Sequence, residues 1–185
     1  MDLNVLVIDN FLDNPDKVRE SVLKINFITS GSFPGKRSFR ADPDYQQMIK
    51  NKLETILNKE LYFPSKFDSF CFQLCLEDAE SWVHVDGTEW AGVLYLNPDA
   101  PVESGTGIYT KENDEAYLNI FLGNVYNRLV LYRGNQLHHR SMISGFGDSA
   151  ENGRLTQVFF FNTYDNGEKH LLNKNKGHIT LEKNA

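Results

Sequence analysis

The chain has 185 residues, of which 41% are hydrophobic, 12% aromatic and 24% charged. That is enough for one sizeable core but short for two independent ones, and the composition excludes a disordered chain. The formal net charge of −6 gives no general electrostatic footprint for a polyphosphate, so no nucleic-acid partner is expected.

The N-terminus, MDLNVLVIDNFLDN, lacks the basic start and apolar run of a secretory signal. No apolar stretch approaches the ~20 residues that span a bilayer. No membrane association is expected, and the cytoplasm is the default compartment. Leu3 to Ile8 has the β-branched content of a short strand. A helix follows: Asn14 can cap it, Pro15 suits its first position, and Val18, Val22, Leu23 and Ile25 supply an apolar stripe. Residues Thr29 to Ala41 are rich in Gly and Ser, carry Lys36, Arg37 and Arg40, and read as a loop that serves as a lid or a solvated connector. Asp42-Pro43 announces a second helix, with Met48, Ile49, Leu53, Ile56 and Leu57 spaced at three and four residues.

After Pro64 short β-rich runs take over. They are Phe70 to Glu77, Ser81 to Asp86, Trp90 to Leu96, Gly107 to Tyr109, Arg128 to Tyr132, Leu137 to Ile143 and Arg154 to Asn162. Glu115 to Gly123 is ambiguous between strand and helical turn. Cys71 and Cys75 lie on one predicted strand about 13 Å apart, too far for a disulfide, and are expected to be reduced core residues. The polar tail from Asp165 is expected to hug the surface or fray. The division expected is a single domain over 1–185: an N-terminal strand and helices (1–64), a β core (65–163) and the tail (164–185). Helices first and strands afterwards suggest a mainly β fold with helices segregated to one side of a sandwich or barrel.

The sharpest local feature is Trp82-Val83-His84-Val85-Asp86. Alternation along a strand puts His84 and Asp86 on one face, an imidazole and a carboxylate side by side. A second histidine from another strand would complete a facial triad of the kind that holds iron(II) and leaves positions open. The candidates are His138 and His139, and adjacent strand residues face opposite ways, so only one of them is expected to point inward. Then comes Arg154, opening a strongly apolar strand; a guanidinium can grip a distal carboxylate in bidentate fashion. Thr156 shares its face. Gln73 and Trp82 are weaker candidates for the walls of such a site.

This order of parts resembles the 2-oxoglutarate/iron(II) oxygenase superfamily, particularly its prolyl-4-hydroxylase-like branch, over about residues 4 to 163. In that family a His-x-Asp ends an early strand of a double-stranded β-helix, a second histidine opens a late strand, and a basic residue opens the last core strand. The matching positions are His84 and Asp86, then His139, then Arg154 with Thr156 as hydroxyl partner. Val93-Leu94-Tyr95-Leu96-Asn97 looks like the strand after the metal pair, whose tyrosine often contacts 2-oxoglutarate, and Gly105-Thr106-Gly107 looks like the small-residue turn after it. The interval from His139 to Arg154 is longer than is usual, by the loop containing Gly145 to Asn152.

The resemblance implies a double-stranded β-helix (jelly-roll, cupin-like) core with two N-terminal helices packed on one side. It implies an Fe(II)- and 2-oxoglutarate-dependent dioxygenase, with iron on His84, Asp86 and His139 and the co-substrate on Arg154, Thr156 and Tyr95. Dioxygen and a small-molecule or peptide substrate, such as a prolyl side chain or an amino acid, would be its partners. The alternatives are a non-catalytic β-sandwich binding module and a cupin-type metal enzyme that does not use 2-oxoglutarate. The cupin type more often offers two alternate histidines and a glutamate.

Overall fold

The computed structural model describes residues 4–28, 30–113 and 115–164; the predicted tail from Asp165, and Leu3 at the start of the predicted first strand, lie outside them. In chain order the elements are β1 (Val5–Ile8), α1 (Pro15–Val22), β2 (Lys36–Arg40), α2 (Pro43–Leu57), β3 (Leu61–Tyr62), β4 (Cys71–Cys75) and β5 (Trp90–Tyr95). A 3-10 turn at Val102–Ser104 leads to β6 (Thr106–Glu112), β7 (Glu115–Leu122), β8 (Leu129–Arg133), β9 (His138–Ser141) and β10 (Arg154–Thr163).

Two antiparallel sheets form a double-stranded β-helix. The larger has seven strands, ordered β1-β8-β5-β10-β4-β2 with β3 on the far end of β10, and the smaller is ordered β7-β6-β9. Alternation along the strands of the larger sheet sorts its side chains to two faces. Leu94, Leu131, Leu155, Phe159 and Phe161 point to one, where they share an apolar cluster with Val22 of α1 and Ile49 and Leu53 of α2. Ala91, Tyr95, Val130 and Tyr132 point to the other and pack with Ile108 of the smaller sheet. The space between the sheets is where the candidate site lies. Among the described residues no helix is long and apolar enough to cross a membrane.

Local chemistry explains the helices. The Asn14 side chain accepts from Lys17 N–H and caps α1, and that of Asp42 accepts from the N–H groups of Asp44 and Tyr45 at α2, with proline at the start of each helix. Helix α2 stops where Asn58 takes a left-handed conformation (φ 48°), which asparagine tolerates better than most residues. Helix α1 is shorter than its predicted stripe: Lys24 and Ile25 N–H turn to the Ser21 and Val22 oxygens three residues back and end it, and Ile25 is exposed.

Three other expectations change. Within the stretch 29–41, read as a loop, Lys36–Arg40 is strand β2, paired with β4 through Lys36–Leu74 and Arg37–Gln73. Gly35, at φ +64°, passes so close to β4 that a Cβ there would sit 2.2 Å from Leu74 O. That contact lies between segments far apart in sequence, so local composition does not announce it. Ser81 to Asp86, read as a strand, makes only an isolated bridge, His84 to His139, because Ser81 N–H turns to the Ser144 hydroxyl and Asp86 N–H to Gly134 O. Of the ambiguous Glu115 to Gly123, Glu115–Leu122 is strand β7, antiparallel to β6. Cys71 and Cys75 are buried free thiols.

Candidate metal centre and adjoining cavity

His139 stands in β9, and its backbone exchanges both hydrogen bonds with His84, N–H to O at 2.9 and 3.1 Å. This bridge brings two imidazoles together, ring centroids 4.4 Å apart and planes tilted by 56°. Two residues beyond His84, Asp86 is fixed by its N–H to Gly134 O at 2.7 Å. The result is a group whose ligand atoms, one each from His84, Asp86 and His139, all lie within 4.8 Å of one another. Asp86 Oδ2 is 3.2 Å from His139 Nε2, and Oδ1 is 3.8 Å from His84 Nε2. Two cis ligands on bonds of ~2.1 Å would be roughly 3 Å apart, so the group needs little adjustment to close on an ion.

Both rings are oriented the same way. His84 Nδ1 lies 2.8 Å from Trp82 O and His139 Nδ1 lies 3.0 Å from Leu137 O. A carbonyl only accepts, so each Nδ1 carries the proton, and in the neutral rings each Nε2 lone pair faces Asp86. Burial lowers the pKa of His84, against the Trp82 carbonyl, and the neighbouring His139 lowers it further; a neutral ring is the ligating form. Asp86 Oδ2 is buried and has no hydrogen-bond partner. Such an oxygen is costly unless a cation meets it. Two imidazoles and one carboxylate, open on one side, are a donor set that fits a first-row divalent metal.

A cavity of about 530 Å3 runs from this group between the sheets. Its floor is the inner face of the larger sheet, where register aligns Arg37, Gln73 and Thr156 across β2, β4 and β10. Arg154 is on the same strand face as Thr156, only 2% exposed, and its Nε donates to Ser104 O at 3.0 Å. The long loop between His139 and Arg154 does not displace it. Phe146 N–H bonds Cys75 O, Asn152 Oδ1 accepts from Asp148 and Ser149 N–H, and the chain folds back on itself before β10 starts.

Of the residues predicted from the sequence, His84, Asp86, His139, Arg154, Thr156, Gln73 and Trp82 all border this cavity. His138 does not; it alternates to the opposite side of β9. Tyr95 is fully buried, with its hydroxyl 2.7 Å from the Thr106 hydroxyl and its ring 5.8 Å from the Arg154 guanidinium. Thr106, not Tyr95, borders the cavity.

Sequence reasoning missed Tyr132, Phe160 and Arg37 as lining residues. The Tyr132 ring lies 4.4 Å from that of His139, and burial pushes its phenol pKa far above the ordinary value, with Asp86 adding to the rise. Its alternation with Val130 was a readable signal. Arg37 was hidden by the loop reading of its segment.

No model of a known protein family and no curated protein sequence matches the chain. Solved structures do. HygX from Streptomyces hygroscopicus, with nickel and 2-oxoglutarate bound, superposes with a TM-score of 0.60 at 12% identity, over 85% of this chain and 82% of that one. A prolyl hydroxylase from Trichoplax adhaerens, in complex with a peptide fragment of the hypoxia-inducible factor oxygen degradation domain, gives 0.50 at 12%, over 91% and 86%. OsALKBH1 gives 0.50 at 14%, over 86% and 99%. At such identities the likeness establishes a shared fold, the double-stranded β-helix.

Proposed function

We propose that residues 4–164 act as a single oxygenase domain, a prolyl-4-hydroxylase-like dioxygenase that uses iron(II) and 2-oxoglutarate. The observation that carries this reading is the buried, unpartnered Asp86 Oδ2 facing two imidazoles whose Nδ1 atoms are already committed. Its position at one end of a cavity containing a buried arginine supports the co-substrate. The fold shared with HygX, whose structure holds nickel and 2-oxoglutarate, agrees with it.

His84, Asp86 and His139 hold iron(II). When bound, the metal would couple decarboxylation of 2-oxoglutarate to hydroxylation, so that 2-oxoglutarate, O2 and a C–H substrate give succinate, CO2 and an alcohol. The protein's residues do the positioning. Arg154 takes the distal carboxylate of 2-oxoglutarate through the guanidinium nitrogens that Ser104 does not use, and Thr156 adds a hydroxyl. Tyr95, held against Thr106, supports this end of the cavity from behind. Tyr132, whose ring lies against that of His139, and Phe160 line the cavity and help to exclude water from it. The substrate is an amino acid or a prolyl or other peptide side chain.

The test is to incubate the purified full chain with Fe(II) and 2-oxoglutarate and measure succinate, metal content and 2-oxoglutarate binding together. Stoichiometric metal and iron-dependent succinate, abolished by Asp86→Ala, are expected. A folded protein that takes up no first-row metal would instead be a binding module, and one that binds metal but no 2-oxoglutarate would be a cupin-type enzyme.

A further inference from the structure

Three arginines border the cavity; Arg140 turns its guanidinium to the Ser141 and Met142 oxygens, and 2-oxoglutarate needs one of the other two. We propose that the second, Arg37, is the docking point for a carboxylate on the prime substrate, which makes that substrate a small carboxylate-bearing molecule of the amino-acid type. The word substrate rests on the oxygenase reading above; the anion site itself does not.

Arg37 sits on edge strand β2 and is 9% exposed. Its Nε donates to Gln73 Oε1 at 2.8 Å, and the Gln73 amide is tied in turn to Pro34 O at 3.0 Å. The guanidinium carbon lies 3.9 Å from the centre of the Phe33 ring and 5.4 Å from that of Phe160. Aromatic contacts and the Gln73 bond therefore fix its plane before anything binds. The nearest acid, Asp68, is half exposed and 3.7 Å away, longer than a hydrogen bond. Burial presses the Arg37 pKa down, and Asp68 offsets only part of that. A cation so enclosed and so weakly paired is stabilised by any anion that reaches it.

Charge and geometry agree. The cavity is bordered by Arg37, Lys66, Arg140 and Arg154 against only Asp68 and Asp86, although the chain as a whole carries −6. A divalent metal and dianionic 2-oxoglutarate cancel one another, so the positive excess remains for a further ligand. Arg37 is two strands from Thr156 through Gln73, roughly 10 Å at ~4.8 Å per strand, so an anion on Arg37 does not compete for the Thr156 position. With Nε taken by Gln73 and Nη1 3.7 Å from Asp68, an incoming carboxylate meets the Nη1/Nη2 edge and displaces Asp68 from it. A planar carboxylate matches that edge through two parallel N–H···O bonds.

The experiment titrates full-length protein, loaded with Ni(II) and 2-oxoglutarate, with N-acetyl-L-proline, N-acetyl-L-leucine and N-acetyl-L-phenylalanine and with their primary amides, alongside phenyl phosphate. Calorimetry and tryptophan fluorescence are the readouts. At least one acid is expected to bind about tenfold more tightly than its amide, and Arg37→Gln is expected to remove that difference while changing 2-oxoglutarate affinity less than about twofold. Arg37→Lys, which keeps the charge and loses the Gln73 bond, should retain part of the preference; it also serves if the glutamine variant does not fold. The proposal is overturned if acids and amides bind alike or not at all, if phenyl phosphate binds more tightly than every acid, or if Arg37→Gln leaves the preference intact. It is equally overturned if Arg37→Gln weakens 2-oxoglutarate as much as Arg154→Gln does. Should the protein bind no 2-oxoglutarate, the oxygenase reading fails by itself, and the same acid–amide contrast is then read on the unloaded protein.

Discussion

The Nε2 of His139 faces the Oδ2 of Asp86 across 3.2 Å, and that oxygen is buried without a hydrogen-bond donor. With His139 Nδ1 committed to Leu137 O, the Nε2 of the imidazole in its ligating, neutral form and the carboxylate turn lone pairs toward the same space. Leaving such an oxygen unpaired costs about 1–3 kcal/mol. A divalent cation reverses the sign of that cost.

Metal should raise stability through Asp86. At a Ni(II) concentration 100 times Kd the wild type should gain about 2.7 kcal/mol, seen as a higher Tm. Asp86→Asn should lose this gain, and without metal it should be no less stable than wild type, since an amide can donate toward His139. A variant that still gains stability with Ni(II) would remove Asp86 from the ligand set.

The two adjacent histidines should separate cleanly. His139→Ala is expected to weaken Ni(II) binding about 100-fold or more, whereas His138→Ala should change it less than about twofold, because loss of a ligand is far costlier than loss of a side chain directed away. Calorimetric titration of both variants decides it, and equal losses would contradict the assignment.

Tyr95 should matter to stability more than to binding. Tyr95→Phe deprives the buried Thr106 hydroxyl of its 2.7 Å partner and should cost about 1 kcal/mol in urea unfolding. The 2-oxoglutarate Kd should rise less than about threefold, against about tenfold or more for Arg154→Gln. A larger effect from Tyr95→Phe would mean that its hydroxyl turns to the ligand.

Glu89 should contribute an acid-sensitive part of the stability. Burial raises its pKa, but the backbone N–H and hydroxyl of Thr163, together with Arg133, outweigh that and leave it below the ordinary value of 4.5. A carboxyl with a depressed folded pKa contributes fully above its unfolded value and loses the contribution as pH falls through the folded one. Glu89→Gln should therefore cost about 1 kcal/mol at pH 7, at the low end for charged hydrogen bonds because the side chain keeps solvent contact. The cost should vanish well below pH 4, which unfolding curves at three pH values would reveal.

The α2 face should carry part of the core. Leu53 is fully buried in the cluster that joins both helices to the larger sheet, so Leu53→Ala should destabilise by about 2–5 kcal/mol. Metal affinity in the folded protein should stay within about twofold, because this cluster lies on the sheet face away from the cavity.

Much of this was legible in the sequence because it is written in short-range patterns. Asn14-Pro15 and Asp42-Pro43 mark helix starts through capping chemistry that involves only neighbouring residues. Two-residue periodicity gives most of the strands, and the same periodicity allows only one of His138 and His139 into the site. The spacing of His84 and Asp86, followed by an Arg opening an apolar strand, identified the side chains that the fold brings to one cavity.

What only the tertiary structure decided depends on contacts between distant segments. Arg37 faces the cavity because Lys36–Arg40 finds the free edge of β4, a pairing that no local signal in a Gly- and Ser-rich stretch announces. His84 and Asp86 converge although their segment is no regular strand, since one bridge to His139 and one bond to Gly134 replace a ladder. Tyr95 is held behind Thr106 by the way the two sheets pack, not by anything in its own strand. Side-chain alternation is a property of the backbone and can be read along the chain, but which strand lies beside which is set by burial and pairing energies summed over the whole fold.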